Sequence, residues 1–222
     1  MKWTKWLSAF MVLSLAATAG AQTIGFDEQK AGETPKGFTC DLTGKGRAGV
    51  WRVVADGTAP SAPNVLAQTD ADATGYRFPL CVLETVTAKD VDLSVRFKPV
   101  SGSVDQAAGL VWRYRDRDNY YIVRANALED NVVLYKVEGG KRTDLDPVGA
   151  GALAYGKKAK VPSGSWGLLR VVARGSRFEV HLGGEKLFEV EDATFAGPGK
   201  AGVWTKADSI TRFDDLVVKV LD

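Results

Sequence analysis

Between Trp112 and Asn126 the chain concentrates side chains suited to a polar, ring-shaped ligand: Trp112, Arg113, Tyr114, Tyr120, Tyr121, Arg124 and Asn126. Aromatic faces cover the apolar side of such a ligand, while guanidinium and amide groups offer donors and acceptors to its hydroxyls. Further along, Trp204 and Lys206 share one parity. Packing alone also favours aromatics on strands, so about half of these rings read as structural. Covalent chemistry has less to work with. Glu189-Val190-Glu191-Asp192 puts two acids on one strand face but lacks the E-x-D-x-E spacing that sets a nucleophile and an acid about 5.5 Å apart. The single histidine, His181, shares the polar side of a strand with Glu179, and no G-x-S-x-G elbow accompanies it. It reads as an exposed strand residue, or else as a hydrogen-bond donor to a ligand hydroxyl or an acid or base. One histidine and two cysteines leave too few ligands for zinc. Asp70-Ala71-Asp72-Ala73-Thr74-Gly75 opens like a calcium loop, but Cys81 stands at the twelfth position, where a glutamate is required.

The elements that must position these groups are strands. Val91 to Phe97, Arg177 to Leu182 and Lys186 to Glu191 alternate apolar and polar residues, and Leu168 to Val172 is a denser apolar run. Period two with one apolar face marks a half-buried strand. Asp116-Arg117-Asp118-Asn119 separates Leu110–Arg115 from Tyr120–Asn126, and Glu138-Gly139-Gly140-Lys141, Arg174-Gly175-Ser176 and Gly183-Gly184-Glu185 close further hairpins. From Val91 to Leu221 this predicts about nine strands and no helix. Residues 41–76 are less regular, with one good strand at Val50 to Ala55, inside the same domain. Trp51 and Trp166 read as core or edge packing. The fold class is therefore all-β, two packed antiparallel sheets. On the second hairpin strand Tyr120, Ile122, Arg124 and Asn126 share a face opposite Tyr121, Val123 and Ala125, which read as core. On the first, Leu110, Trp112 and Tyr114 alternate with Val111, Arg113 and Arg115, and parity leaves open which set points inward.

Two stretches carry a family likeness. The run from Ala108 through Trp112-Arg113-Tyr114 and Asp116-Arg117-Asp118-Asn119-Tyr120-Tyr121 to Asn126, and the run Gly199 to Ser209 followed by Phe213-Asp214-Asp215-Leu216, resemble the concanavalin A-like, laminin-G-like jelly rolls of exported bacterial proteins. In particular they are similar to the 3-keto-disaccharide hydrolase domain family, often labelled family 16 glycoside hydrolase-like. Ile24-Gly25-Phe26-Asp27 fits the opening of such a domain, whose first and last strands lie side by side. The resemblance implies a β-sandwich with a concave sheet that holds carbohydrate. The residues expected there are Tyr120, Arg124, Asn126 and Trp204, with Arg113 and His181 as second choices. It also implies a structural calcium at the terminal seam, for which Asp27, Asp214 and Asp215 are the candidate ligands; no other cofactor is required. Two functional classes remain, a noncatalytic carbohydrate-binding domain and a glycan-cleaving enzyme with unassigned catalytic groups. A protein-interaction domain using an exposed sheet is a third.

Export frames the rest. Lys2 and Lys5, the apolar run Trp6 to Ala17 and the small residues Ala19-Gly20-Ala21 have the pattern of a signal peptide over residues 1–21, leaving a jelly-roll domain at 22–222 in the periplasm or outside the cell. Removing that segment takes two lysines and no acid from 29 basic and 27 acidic residues, which leaves no net charge. A chain without surplus Lys and Arg is a poor match for nucleic acid. No later apolar run approaches the roughly 20 residues of a membrane helix. Cys40 and Cys81, an even pair in an oxidising compartment, are expected to form a disulfide.

Overall fold

The computed structural model describes residues 20–151 and 155–221. Nearly all of the expected signal segment, residues 1–19, lies outside the described residues. The strands are β1 (Gln22–Ile24), β2 (Phe38–Gly44), β3 (Trp51–Ala55), β4 (Asn64–Gln68), β5 (Arg77–Leu83), β6 (Val91–Ser101), β7 (Ala107–Asp116) and β8 (Asn119–Asn126). They continue with β9 (Asn131–Glu138), β10 (Lys141–Asp144), β11 (Lys157–Lys158), β12 (Gly167–Arg174), β13 (Arg177–Leu182), β14 (Glu185–Glu191), β15 (Lys200–Trp204) and β16 (Ile210–Val220). No helix among the described residues is long and apolar enough to cross a membrane.

Two antiparallel sheets pack face to face. The first has the order β14-β13-β12-β6-β16-β4-β3, with β1 added on β16; the second has the order β10-β9-β8-β7-β15-β5-β2, with β11 on β9. The first and last strands are neighbours, Gln22 opposite Val218 and Ile24 opposite Leu216. Alternation builds the core between the sheets. Leu93, Val95 and Phe97 of β6 and Phe178 and Val180 of β13 meet Leu110 and Trp112 of β7 and Tyr121, Val123 and Ala125 of β8. Cys40 and Cys81 are register partners on β2 and β5 and form the expected disulfide.

A bulge breaks the expected alternation on β7. Pairing with β8 shifts register between Trp112 and Asp116, and Arg113 adopts φ 49°. An extra residue turns the strand by one position. Trp112 therefore faces the inter-sheet core, whereas Tyr114 joins the opposite face beside Val111 and Tyr120.

That opposite face belongs to the second sheet and is unusual in being buried. Phe78, Leu80, Val111, Tyr120, Ile122, Tyr135, Val137 and Trp204 form a second apolar cluster on it. The cause is curvature. Five inter-strand steps separate β10 from β5, about 24 Å in a flat sheet at about 4.8 Å each. Yet the Arg142 guanidinium of β10 lies 4.4 Å from the Phe78 ring of β5. The Tyr76 hydroxyl, just before β5, accepts the Arg142 N–H at 2.6 Å and donates to the Gly140 carbonyl at 3.2 Å. Thr43 of the edge strand β2 reaches the Tyr120 hydroxyl of β8 at 2.8 Å. The second sheet is thus rolled into a half-barrel, its two margins drawn together by Thr43, Tyr76, Tyr120 and Arg142.

Candidate functional site

One end of the half-barrel is polar and partly open to solvent. One row across the sheet runs Leu80, Trp204, Gly109, Arg124, Val133. Gly109 is required here: a Cβ would come within 2.5 Å of Ile122 Cδ1 and 3.2 Å of Trp204 Cε3, so the indole lies where a side chain would stand. In the next row Asn126 faces Asn131 and Ala107.

A hydrogen-bonded network spans these rows. Arg124 donates from Nη1 to Asn131 Oδ1 at 2.8 Å, and from Nη2 to Glu129 Oε2 at 2.8 Å and the Tyr155 hydroxyl at 3.0 Å. Asn126 Nδ2 bridges two carboxylates, Asp105 Oδ1 at 2.7 Å and Glu129 Oε1 at 3.0 Å. Lys206 donates to Asp105 Oδ1 at 2.9 Å. The Tyr135 and Tyr155 hydroxyls meet at 2.5 Å. The two carboxyls titrate apart. Burial pushes Asp105 up against the pull of Lys206. Burial acts the same way on Glu129, but Arg124, together with Asn131, brings it below its ordinary value.

Exposure sorts this network into two layers. Tyr120, Arg124 and Asn126 share one face as parity predicted, and Trp204 lies with them on the concave face, but each is fully buried. They are a supporting layer. The groups open to solvent are Glu129 and Lys206, with side chains 35% and 20% exposed, and Tyr155 at 46%. Sequence reasoning missed Glu129, Tyr155, Asp105 and Arg142. A signal for one existed: Glu129 stands in the short β8–β9 turn, within reach of Arg124 and Asn126. Nothing local marked Arg142, whose position depends on the roll of the sheet.

The second choices lie elsewhere. The bulge sends Arg113 to the carbonyls of Lys89 at 2.7 Å, Phe195 at 2.9 Å and Gly175 at 2.6 Å and to Asp90 at 3.0 Å, where it clamps loops together. His181 is on β13 of the first sheet, with Nε2 3.5 Å from Glu179. Glu189 and Glu191 both pair with Arg177, at 3.2 and 2.7 Å. Among the described residues no three or more acidic, histidine or cysteine side chains converge on a metal position. Asp27 accepts the Asn64 N–H at 2.9 Å, Asp214 the Ser61 N–H at 2.8 Å, and Asp215 the Ser61 hydroxyl at 2.8 Å. Asp70 and Asp72 flank the buried Arg77. A separate cleft of about 550 Å³ lies against the first sheet, lined by Lys158, Lys160, Trp166, Leu168, Leu182 and Leu187. It gathers no comparable set of converging polar groups.

The architecture is that of a jelly-roll-like antiparallel β-sandwich, and solved structures share it. The carbohydrate-binding module CBM66 from Bacillus subtilis superposes with a TM-score of 0.60 at 19% identity, covering 82% of this chain and 95% of its own. Cellulose induced protein, Cip1, superposes at 0.58 with 13% identity, over 83% of this chain and 91% of its own. A Bacillus subtilis protein of unknown function with a galectin-like fold gives 0.53 at 11% identity, over 81% and 88%. At these identities the likeness is one of fold. No family model matches the chain, and no curated protein matches it by sequence.

Proposed function

We propose that this chain binds carbohydrate at the open end of its half-barrel, outside the cytoplasm. The observation that carries the reading is the two-layer network. Partly exposed Glu129 and Lys206 and the exposed ring of Tyr155 are held in fixed geometry by buried Arg124, Asn126, Asp105 and Tyr135. Preorganised donors and acceptors next to ring faces suit a sugar, whose hydroxyls circle an apolar ring. Barrel mouths are common ligand positions. The fold-sharing carbohydrate-binding module supports the same reading, and the disulfide suits an exported chain.

A glycan array with the oxidised protein, followed by calorimetric titration, tests it. Glu129→Gln and Tyr155→Ala change exposed groups and are expected to weaken binding about tenfold each while leaving the fold intact. Unchanged affinity in both, for a ligand the wild type binds, places the site elsewhere.

A second reading, glycoside hydrolysis of the 3-keto-disaccharide type, has one observation in its favour: Asp105 and Glu129 are bridged by one amide, with their carboxyls shifted in opposite directions. Against it, the Asp105 side chain is only 1% exposed, out of reach of a scissile bond. Turnover assays on disaccharides with and without a 3-keto group discriminate. Release of product by wild type but not by Asp105→Asn favours the enzyme.

A further inference from the structure

We propose that the ligand of this site is an acidic glycan, and that Arg142 receives its carboxylate; this rests on the carbohydrate reading above. The other guanidiniums packed into the interior, those of Arg77, Arg113 and Arg124, each meet a carboxylate within 3.0 Å. Arg142 pairs with no carboxylate among the described residues. Its guanidinium lies 4.4 Å from the rings of Phe78 and Tyr135 and 6.0 Å from Trp204, and Nη1 is buried without an acceptor. Stacking on rings fixes the plane of a guanidinium while leaving its edge free, the arrangement in which arginine recognises a planar carboxylate through two parallel hydrogen bonds.

The surroundings lack acceptors in the same sense. Arg124 Nε and Trp204 Nε1, both in fully buried side chains on this face, also have no partner. Tyr135 lies between the two guanidiniums, 5.8 Å from Arg124. Arg124, Arg142 and Lys206 outnumber the carboxylates of Asp105 and Glu129. A neutral sugar brings hydroxyls that both donate and accept and leaves this surplus of cations unanswered. A uronate brings an anionic acceptor at the ring edge, where Arg142 can take it while Glu129 and Lys206 take hydroxyls.

The test uses the full oxidised chain and a panel of uronate oligosaccharides, each paired with its carboxyl-reduced, neutral counterpart. For at least one pair, the acid is expected to bind about tenfold or more tightly than the neutral form. That preference is expected to shrink as salt rises from low to moderate concentration and to vanish in Arg142→Gln. Arg142→Lys keeps the charge but not the fork, and is expected to retain part of the preference. If Arg142→Gln melts early, the wild-type salt series and Arg142→Lys carry the decision. Equal binding of acid and neutral forms overturns the proposal and leaves the carbohydrate reading standing. A preference that survives unchanged in Arg142→Gln overturns the role of Arg142. Binding of no glycan of either kind removes the carbohydrate reading, and the proposal falls with it.

Discussion

On the outer face of the first sheet Arg170 meets Asp92 at 2.6 Å, Arg177 meets Glu191 at 2.7 Å, and Lys186 lies between Glu179 at 3.1 Å and Glu189 at 3.0 Å. These pairs are solvated and complete among themselves. On the corresponding face of the second sheet Trp204, Tyr120, Ile122 and Arg124 are fully buried, and Arg124, Arg142 and Trp204 each leave a donor unused. Both faces are written in the same two-residue alternation. What separates them is the roll of the second sheet, which encloses one face and concentrates its polar groups at an opening. The charged flat face answers its charges with its own pairs and leaves His181 Nε2 without a partner; the rolled face leaves donors of Arg124, Arg142 and Trp204 unused.

The largest expected effect tests whether the rolled face is a second core. Trp204→Ala is expected to cost about 3–5 kcal/mol in urea unfolding, as loss of a fully buried aromatic does. A cost below about 1 kcal/mol breaks the comparison. Next is the bond between the edge strand and its neighbour. Cys81→Ser is expected to lower stability by about 2–4 kcal/mol, since the bridge closes a 41-residue separation. Thiol labelling of denatured, unreduced wild type should find no free thiol.

The third concerns proton linkage at the mouth. Because burial raises Asp105 above its ordinary value, the folded state binds its proton more tightly than the unfolded state does. The carboxyl's contribution to stability is then fully present below the unfolded value, near 4, and is lost as pH rises through the raised folded value. The stability of wild type relative to Asp105→Asn is therefore expected to fall as pH is raised from acid to neutral. A difference that grows with pH refutes this, and makes the Lys206 ion pair dominant. On the flat face, Arg177→Ala is expected to leave the urea unfolding midpoint almost unchanged, because its pairs are exposed. The smallest effect belongs to the seam. Chelator is expected to leave the melting temperature unchanged, and a clear rise with millimolar calcium would mean that Asp27, Asp214 and Asp215 regroup around an ion.

Much of the scaffold was legible in the chain. Val91 to Phe97, Arg177 to Leu182 and Lys186 to Glu191 are strands as their alternation required, and the turn Arg117-Asp118 joins β7 to β8. The neighbouring first and last strands and the Cys40–Cys81 bridge were expected too. Parity put Tyr120, Arg124 and Asn126 on one face correctly. It failed at Tyr114, because a bulge adds one residue to the count without a mark in composition.

What the sequence determined by itself is therefore local: strand periodicity, turn chemistry and which residues share a face, since these follow from backbone geometry over two to eight residues. The tertiary structure alone decided which of those residues are buried and which reach solvent. Arg124 and Trp204 became a floor, and Glu129, Tyr155 and Arg142 a rim, because the sheet's curl sets distances across five strands. Curl accumulates from small twists and bulges in every strand, so no single segment of the chain records it.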